Sequence, residues 1–297
     1  MLDLAVERAA LIGLLSSGPK MEWAKYRNAI SMGQYPTELG ATEEHIQTGQ
    51  HVIAEWHHRV GGANFYTCLD EGYPAQLRDV WDFPPFVFIR GDETPLRRLQ
   101  GDVGVCVVGS RKPTQQGHAA ADFISRQLAQ LGITIISGLA EGVDRAAHQA
   151  ALETGARTVG VIGTGIDRYY PTTSRPYQEA MENGHGMVLS QFGPGASPTR
   201  ASFPMRNAVM SAYGRATIIV EASEQSGTKH QAQHAVKHGR PVILAEPVAR
   251  KTTWGARLAD DSSVDAHVAH TPEHAVQLAR GVIDRSAPPA PTQILAF

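Results

Sequence analysis

The 297-residue sequence predicts an α/β fold: a mostly parallel sheet covered on both faces by helices, preceded by a small helical region. Two observations lead there. From Gly101 to about Asp284, short apolar runs alternate with helix-patterned stretches. Glycine-rich turns then follow four of those runs, at Val107-Val108-Gly109-Ser110-Arg111, at 137–144 (Ser-Gly-Leu-Ala-Glu-Gly-Val-Asp), at Gly163-Thr164-Gly165-Ile166-Asp167, and at Ser226-Gly227-Thr228. In an open sheet of this kind ligands bind outside the carboxyl ends of the strands, and all four turns fall on that edge.

Residues 1–63 read as a helical region. Asp3 is a candidate cap ahead of a helix over 4–15, and a second helix over 42–58 carries Ile46, Val52, Ile53 and Trp56. A short third helix fits 22–30. So small a bundle has to dock on something else to be stable. Residues 64–100 change character: Pro74, Pro84 and Pro85 exclude a continuous helix, and Phe86–Ile89 reads as one strand in an extended connector packed on the sheet domain. Over 101–285, strands are expected near 103–108, 133–137, 158–162, 187–190, 216–220 and 241–244, with helices over 117–131, 142–154, 174–183, 206–213 and 228–238. The last stretch, 286–297, holds Pro288, Pro289 and Pro291 and reads as a flexible tail.

Composition narrows the function classes. The longest apolar runs, such as 103–108, fall far short of the roughly 20 residues of a membrane span. The first residues carry no positive segment ahead of an apolar one, so no secretory signal is read and a cytoplasmic protein is expected. Cys68 and Cys106 are too few for a disulfide framework and are not spaced as metal ligands; both read as buried thiols. A formal charge of −2 argues against coating nucleic acid through an overall field, so any such binding has to come from a local patch.

Glycines at a strand-to-helix turn let backbone amides approach an anion, and the helix that begins there adds partial positive charge. One such turn says little, because tight turns need glycine for backbone reasons alone; four on one edge favour a phosphorylated ligand. Arg111 follows Gly109 and Ser110, which sets a guanidinium fork and a hydroxyl beside free amides. Asp144 and Asp167 could bind a ribose hydroxyl, and Asp144 could equally cap a helix. In the segment 202–210, Arg206 could bind phosphate and Asn207 a base or sugar edge, against the plainer reading of a surface helix end. His230, His234 and His238 recur every four residues on one helix face, a spacing that suits metal ligands, but no neighbouring acid or cysteine completes a set and no metal is expected. His148 either touches a ligand or is a satisfied core histidine. Ser110, Ser137 and Ser226 have no evident histidine and acid partners, so binding is favoured over catalysis, and no cofactor is expected.

Taken together these residues resemble the DprA family, also called Smf. The resemblance rests on Gly109-Ser110-Arg111, Ser137-Gly138-Leu139-Ala140 with Gly142 and Asp144, and Ala147-His148 with Ala151-Leu152. It continues through Gly163-Thr164-Gly165 with Asp167, Tyr170 and Pro171, Phe203-Pro204 with Arg206-Asn207, and Glu221-Ala222 leading to Ser226-Gly227-Thr228. Tyr73-Pro74, Leu77, Pro84-Pro85 and Arg90-Gly91 extend it through the connector, so it covers about 64–247. The resemblance implies an extended Rossmann-like fold that binds and protects single-stranded DNA, forms a homodimer and loads a RecA-type recombinase. It further implies a DNA- and phosphate-binding set of Gly109, Ser110, Arg111, Ser137, Gly138, Gly163, Gly165, Phe203, Arg206, Asn207, Ser226, Gly227, Thr228 and Lys229.

Departures are visible. Ala208 stands where the family usually has a second basic residue, Glu246-Pro247-Val248 replaces a Pro-Gly, and the stretch after 272–283 is too short for the winged-helix domain many members carry. A second resemblance is to the LOG family, which hydrolyses the N-glycosidic bond of nucleoside monophosphates. Gln231 stands where its motif has a glutamate, and an amide can neither act as general acid or base nor supply negative charge. A nucleotide-sensing module is the other alternative.

Overall fold

The computed structural model describes residues 3–17, 23–97 and 102–286, so the expected tail over 286–297 lies outside the described residues but for Ser286. The amino-terminal region forms α1 (Leu4–Ser17), α2 (Trp23–Ser31) and α3 (Glu43–Val60). Asp3 caps the first, its carboxylate accepting from the Ala5 amide at 2.9 Å, and Thr42 caps the third. The two long helices cross with almost no gap: a Cβ at Gly13 would overlap the His45 carbonyl, and one at Gly49 the Ala9 carbonyl. The region docks as its size requires, Trp56 packing on Phe65, Phe86 and Phe88 with ring centroids 5.4, 5.2 and 5.2 Å apart.

Residues 64–97 do more than connect. They form β1 (Asn64–Thr67), the short α4 (Ala75–Arg78) and β2 (Phe86–Gly91), and both strands belong to the sheet, β1 antiparallel to β2 and β2 antiparallel to the later strand over 186–190. The strand expected at 86–89 is thus β2, and β1 is an additional strand within the segment expected as an extended connector. Phe86, Val87, Phe88 and Ile89 are buried, and β2 pairs with β1 along 86–89 and with β6 along 88–91, which engages backbone groups that such a run buries.

The rest alternates as expected: β3 (Gly104–Gly109), α5 (Gln115–Gln130), β4 (Thr134–Ser137), α6 (Val143–Glu153), β5 (Thr158–Ile162), α7 (Arg175–Ala180), β6 (Gly186–Ser190), α8 (Ser202–Tyr213), β7 (Ala216–Glu221), α9 (Thr228–Lys237) and β8 (Val242–Ala245). Then come α10 (Glu246–Lys251), α11 (Thr253–Asp260), β9 (Ala266–Ala269) and α12 (Pro272–Ser286). The sheet order is β1-β2-β6-β5-β4-β3-β7-β8-β9, parallel from β6 through β9. Residues of α5, α6 and α12, among them Ile124, Leu128, Ala147 and Ala279, pack one face. The other face is packed by α1, α8, α9 and α11 through residues such as Leu11, Val209, Ala232 and Trp254. Helix α8 starts four residues earlier than expected because Pro204 sits in its first turn, where a missing N–H costs nothing.

Candidate nucleic-acid interface

Strands β5, β4, β3 and β7 are neighbours, so the four glycine-rich turns at their carboxyl ends lie side by side. Strand order reverses between β3 and β7, and a cavity of about 610 Å³ opens at that point. Gly109, Ser110, Arg111, Phe203, Arg206, Asn207, Ser226, Gly227 and Thr228 border it, as does Asp144. A smaller hollow of about 170 Å³ adjoins, bordered by Gly138, Gly163 and Tyr170 and sharing Arg111, Phe203 and Arg206 with the first.

The first and last turns frame the cavity and are tied together. The Ser110 amide donates to the Glu221 carbonyl at 2.8 Å, and the Thr228 hydroxyl donates to the Gly109 carbonyl at 3.2 Å. Ser226 Oγ accepts from the Thr228 amide at 3.2 Å, and Gly227 is exposed with open space where a side chain would stand. Arg111 and Lys112 are exposed, and the Arg111 guanidinium lies 5.4 Å from the Phe203 ring centroid, a cation–π distance. Tyr170, 45 % exposed, follows Phe203 at 5.9 Å between centroids.

The second turn is closed from within. Its Gly138 and Ala140 amides donate to Asp144 Oδ2 at 3.1 and 3.4 Å, so two of the amides that the turn could offer an anion are already engaged within the chain. Arg206 clamps the same turn from the other side, donating through one terminal nitrogen to the Gly138 carbonyl and, at 2.9 Å, to the Val161 carbonyl, while its Nε donates to Asn207 Oδ1 at 3.0 Å. A Cβ at Gly138 would collide with that guanidinium. Leu139 between them adopts a left-handed φ of 55°, and Ser174 Oγ donates to its carbonyl at 2.6 Å. Burial pushes the Asp144 carboxyl above its ordinary range, with Arg206 and the amides pulling against it; burial pulls Arg206 below its ordinary value, with Asp144 opposing. His148 is also wholly buried, its Nδ1 2.8 Å from Thr158 Oγ1, and burial lowers its pKa to about 3. It is a core histidine.

Several members of the expected set therefore stand apart from the cavity. Ser137 is buried with its hydroxyl donated to the Val107 carbonyl at 2.7 Å. Gly165 is buried, its amide donating to the Ala196 carbonyl at 3.0 Å. The adjacent Asp167 accepts from the Gly195 amide at 2.7 Å and from Arg59 Nε at 3.0 Å, which fastens this turn to α3. Lys229 turns into a different groove, lined by Trp254 and Leu258. In its place the cavity gains Lys112, Arg200 and His230, which sequence reasoning missed. Lys112 was legible as the residue after Arg111; Arg200 reaches the rim from the loop ahead of α8 and had no local signal. Gln231 forms part of the cavity wall, buried, with Nε2 3.5 Å from Thr217 Oγ1 and Oε1 without a partner.

Comparison with known proteins joins this geometry to a family. The model of the family "DNA recombination-mediator protein A" matches residues 64–278, which hold all nine described strands of the sheet from β1 to β9. The chain belongs to that family. It is 37% identical over 178 residues to the DNA processing protein DprA of Streptococcus pneumoniae, covering 60% of this chain and 61% of that protein. To the DprA of Bacillus subtilis it is 32% identical over 186 residues, covering 63% and 61%. The matched stretch thus spans about three fifths of these relatives. The solved structure of the S. pneumoniae protein superposes with a TM-score of 0.67 at 27% identity over 92% of this chain and 93% of that one. The structure of DNA processing protein A from Helicobacter pylori, described for its single-stranded DNA binding mode, shares the fold at a TM-score of 0.63 and 23% identity, over 75% of this chain and 97% of that one. Among the described residues no helix is long and apolar enough to cross a membrane.

Proposed function

We propose that this chain is a non-catalytic DNA-processing protein that binds single-stranded DNA along the carboxyl edge of its sheet. One observation carries the reading: the Arg111–Phe203 pair stands between two adjoining hollows, so a cation and an aromatic face are offered to successive nucleotides rather than to one enclosed ligand. Sequence-independent binding of single strands combines a basic groove with aromatic stacking platforms, worth about 1–3 kcal/mol per stacked base. Arg111, Lys112 and Arg200 supply the charge for phosphates, the exposed turn at Gly227 lets a backbone approach closely, and Phe203 with Tyr170 receives bases. In this reading Ser137, Gly138, Gly165, Arg206 and Asp144 shape the turns rather than touch DNA.

Family membership extends the proposal to a homodimer that protects the strand and hands it to a RecA-type recombinase. The hydrolytic alternative is disfavoured: Gln231 replaces the carboxylate of the LOG motif, Asp144 at the larger cavity is held by two amides, and Glu141 at the adjoining hollow lies 3.5 Å from Arg145. The test is titration of labelled oligo-dT against the wild-type protein and the Arg111→Ala and Phe203→Leu variants. Each variant should weaken binding with the fold retained; affinities unchanged in both would remove the site assignment.

A further inference from the structure

Toward the carboxyl end of α9, whose first turn frames the cavity, three side chains from distant parts of the sequence converge. His234 and His238 stand one helical turn apart, and Asp82 reaches them from the turn ahead of β2; one ligand atom from each lies within 4.8 Å of the other two. His238 Nε2 is 2.7 Å from Asp82 Oδ1, and its Nδ1 is 2.9 Å from Ser211 Oγ. The His238 ring is fully buried while Asp82 keeps 18% of its side chain exposed, so the cluster is closed on the protein side and open at the carboxylate. His234 Nδ1 is buried without a hydrogen-bond partner. Two fixed charges act on the cluster, Arg27 on Asp82 from the amino-terminal region and Lys237 on His234 from α9 itself.

The Ser211–His238–Asp82 chain has the residue types of a nucleophilic triad, but Ser211 is 1% exposed inside α8 and no substrate carbon can reach it. We propose instead that Asp82, His234 and His238 bind a divalent transition-metal ion of the zinc type. Two borderline imidazoles and one hard carboxylate make a donor set that suits such an ion, and three protein ligands leave a fourth position for water. Ser211 acts as a positioning residue: a His238 Nδ1–H donated to its hydroxyl directs the Nε2 lone pair at the space shared with Asp82 and His234, as outer-shell partners of ligating histidines do. With bonds of about 2.0–2.1 Å in tetrahedral geometry, ligand atoms sit about 3.3 Å apart, so the 2.7 Å Asp82–His238 contact opens and the wider separations, all within 4.8 Å, close around the ion. The ion would tie the segment ahead of β2 to the helix whose first turn frames the cavity.

The experiment titrates chelator-treated protein with Co²⁺, then Zn²⁺, following the visible absorption of low-coordinate Co²⁺ and the thermal midpoint. One Co²⁺ per chain, displaced by Zn²⁺, with a Zn²⁺-dependent rise in midpoint, is the expected result. Asp82→Asn and His234→Gln should each weaken binding by about tenfold or more, and Ser211→Ala by about 10–100-fold. The double variant His270→Ala/His274→Ala, which removes a stacked surface histidine pair, should bind as wild type. Metal-free melting of each variant checks that it is folded. No saturable uptake, uptake unchanged in both folded ligand variants, or uptake lost in the His270/His274 variant would overturn the proposal.

Discussion

Arg206 looks in sequence like a phosphate clamp, and in the structure it is a 6% exposed strut, so Arg206→Ala separates the two roles. Truncation leaves the Gly138 and Val161 carbonyls without their charged donor and removes the cation that offsets the buried Asp144 carboxyl. Removing one member of such a buried, hydrogen-bonded arrangement costs about 3–5 kcal/mol. The loss should also depend on pH. The folded pKa of Asp144 already lies above its ordinary 3.8, so its contribution is fully present below 3.8 and declines as pH rises through the folded value. Without Arg206 that folded value climbs further, so the difference between variant and wild type should widen from acid toward neutral pH. Adding Asp144→Asn should recover part of it. Urea unfolding of the four proteins of this cycle, at about pH 5 and about pH 7, measures both effects. A pH-independent loss under about 1 kcal/mol, accompanied by loss of oligonucleotide binding, would restore the phosphate role and refute the strut.

Other expectations follow from the cavity rim and the core. With Arg111, Lys112 and Arg200 as phosphate partners, log affinity for oligo-dT should fall against log salt with a slope of roughly −2, each cation contributing about −0.7. Lys112→Ala or Arg200→Ala should bring that slope to roughly −1.4, whereas Lys229→Ala should leave it unchanged; an equal change in Lys229→Ala would put the strand across the other groove. His148, held neutral by burial with a pKa of about 3, gives stability that is present above its ordinary 6.5 and lost as pH falls toward 3, by up to about 1.4 kcal/mol per pH unit. His148→Gln should flatten that loss in melts between about pH 6.5 and pH 5, and an undiminished loss would assign it to another group.

The sheet was legible where β-branched runs recur between helical patterns, which covers β3 through β8 to within a residue or two. It was not legible at β9, where Ala266-His267-Val268-Ala269 lies half-exposed at an edge, or at β1, which lies in a stretch of glycines and prolines. The phosphate-prone edge was also readable, because four turns share it. What each turn does was not. The Asp144 carboxylate that fills the second turn is local, but the carbonyls that capture Arg206 lie 68 and 45 residues away. Lys229 and His230 differ by one step along α9, a rotation of about 100°, which sends one side chain into the Trp254 groove and the other to the cavity. The histidine spacing on the same helix was visible, while its acid, Asp82, sits 156 residues from His238.

The most direct measurement is competition at the cavity itself: labelled oligo-dT bound at about 50 mM salt, then challenged with unlabelled oligo-dT or with each nucleoside monophosphate, with released base monitored in parallel. Displacement by the oligonucleotide, salt-sensitive and weakened in Arg111→Ala, with monophosphates ineffective and no base released, is the expected result. Absence of salt-sensitive oligonucleotide binding, or tight displacement by a single nucleotide, would contradict a site built for a strand.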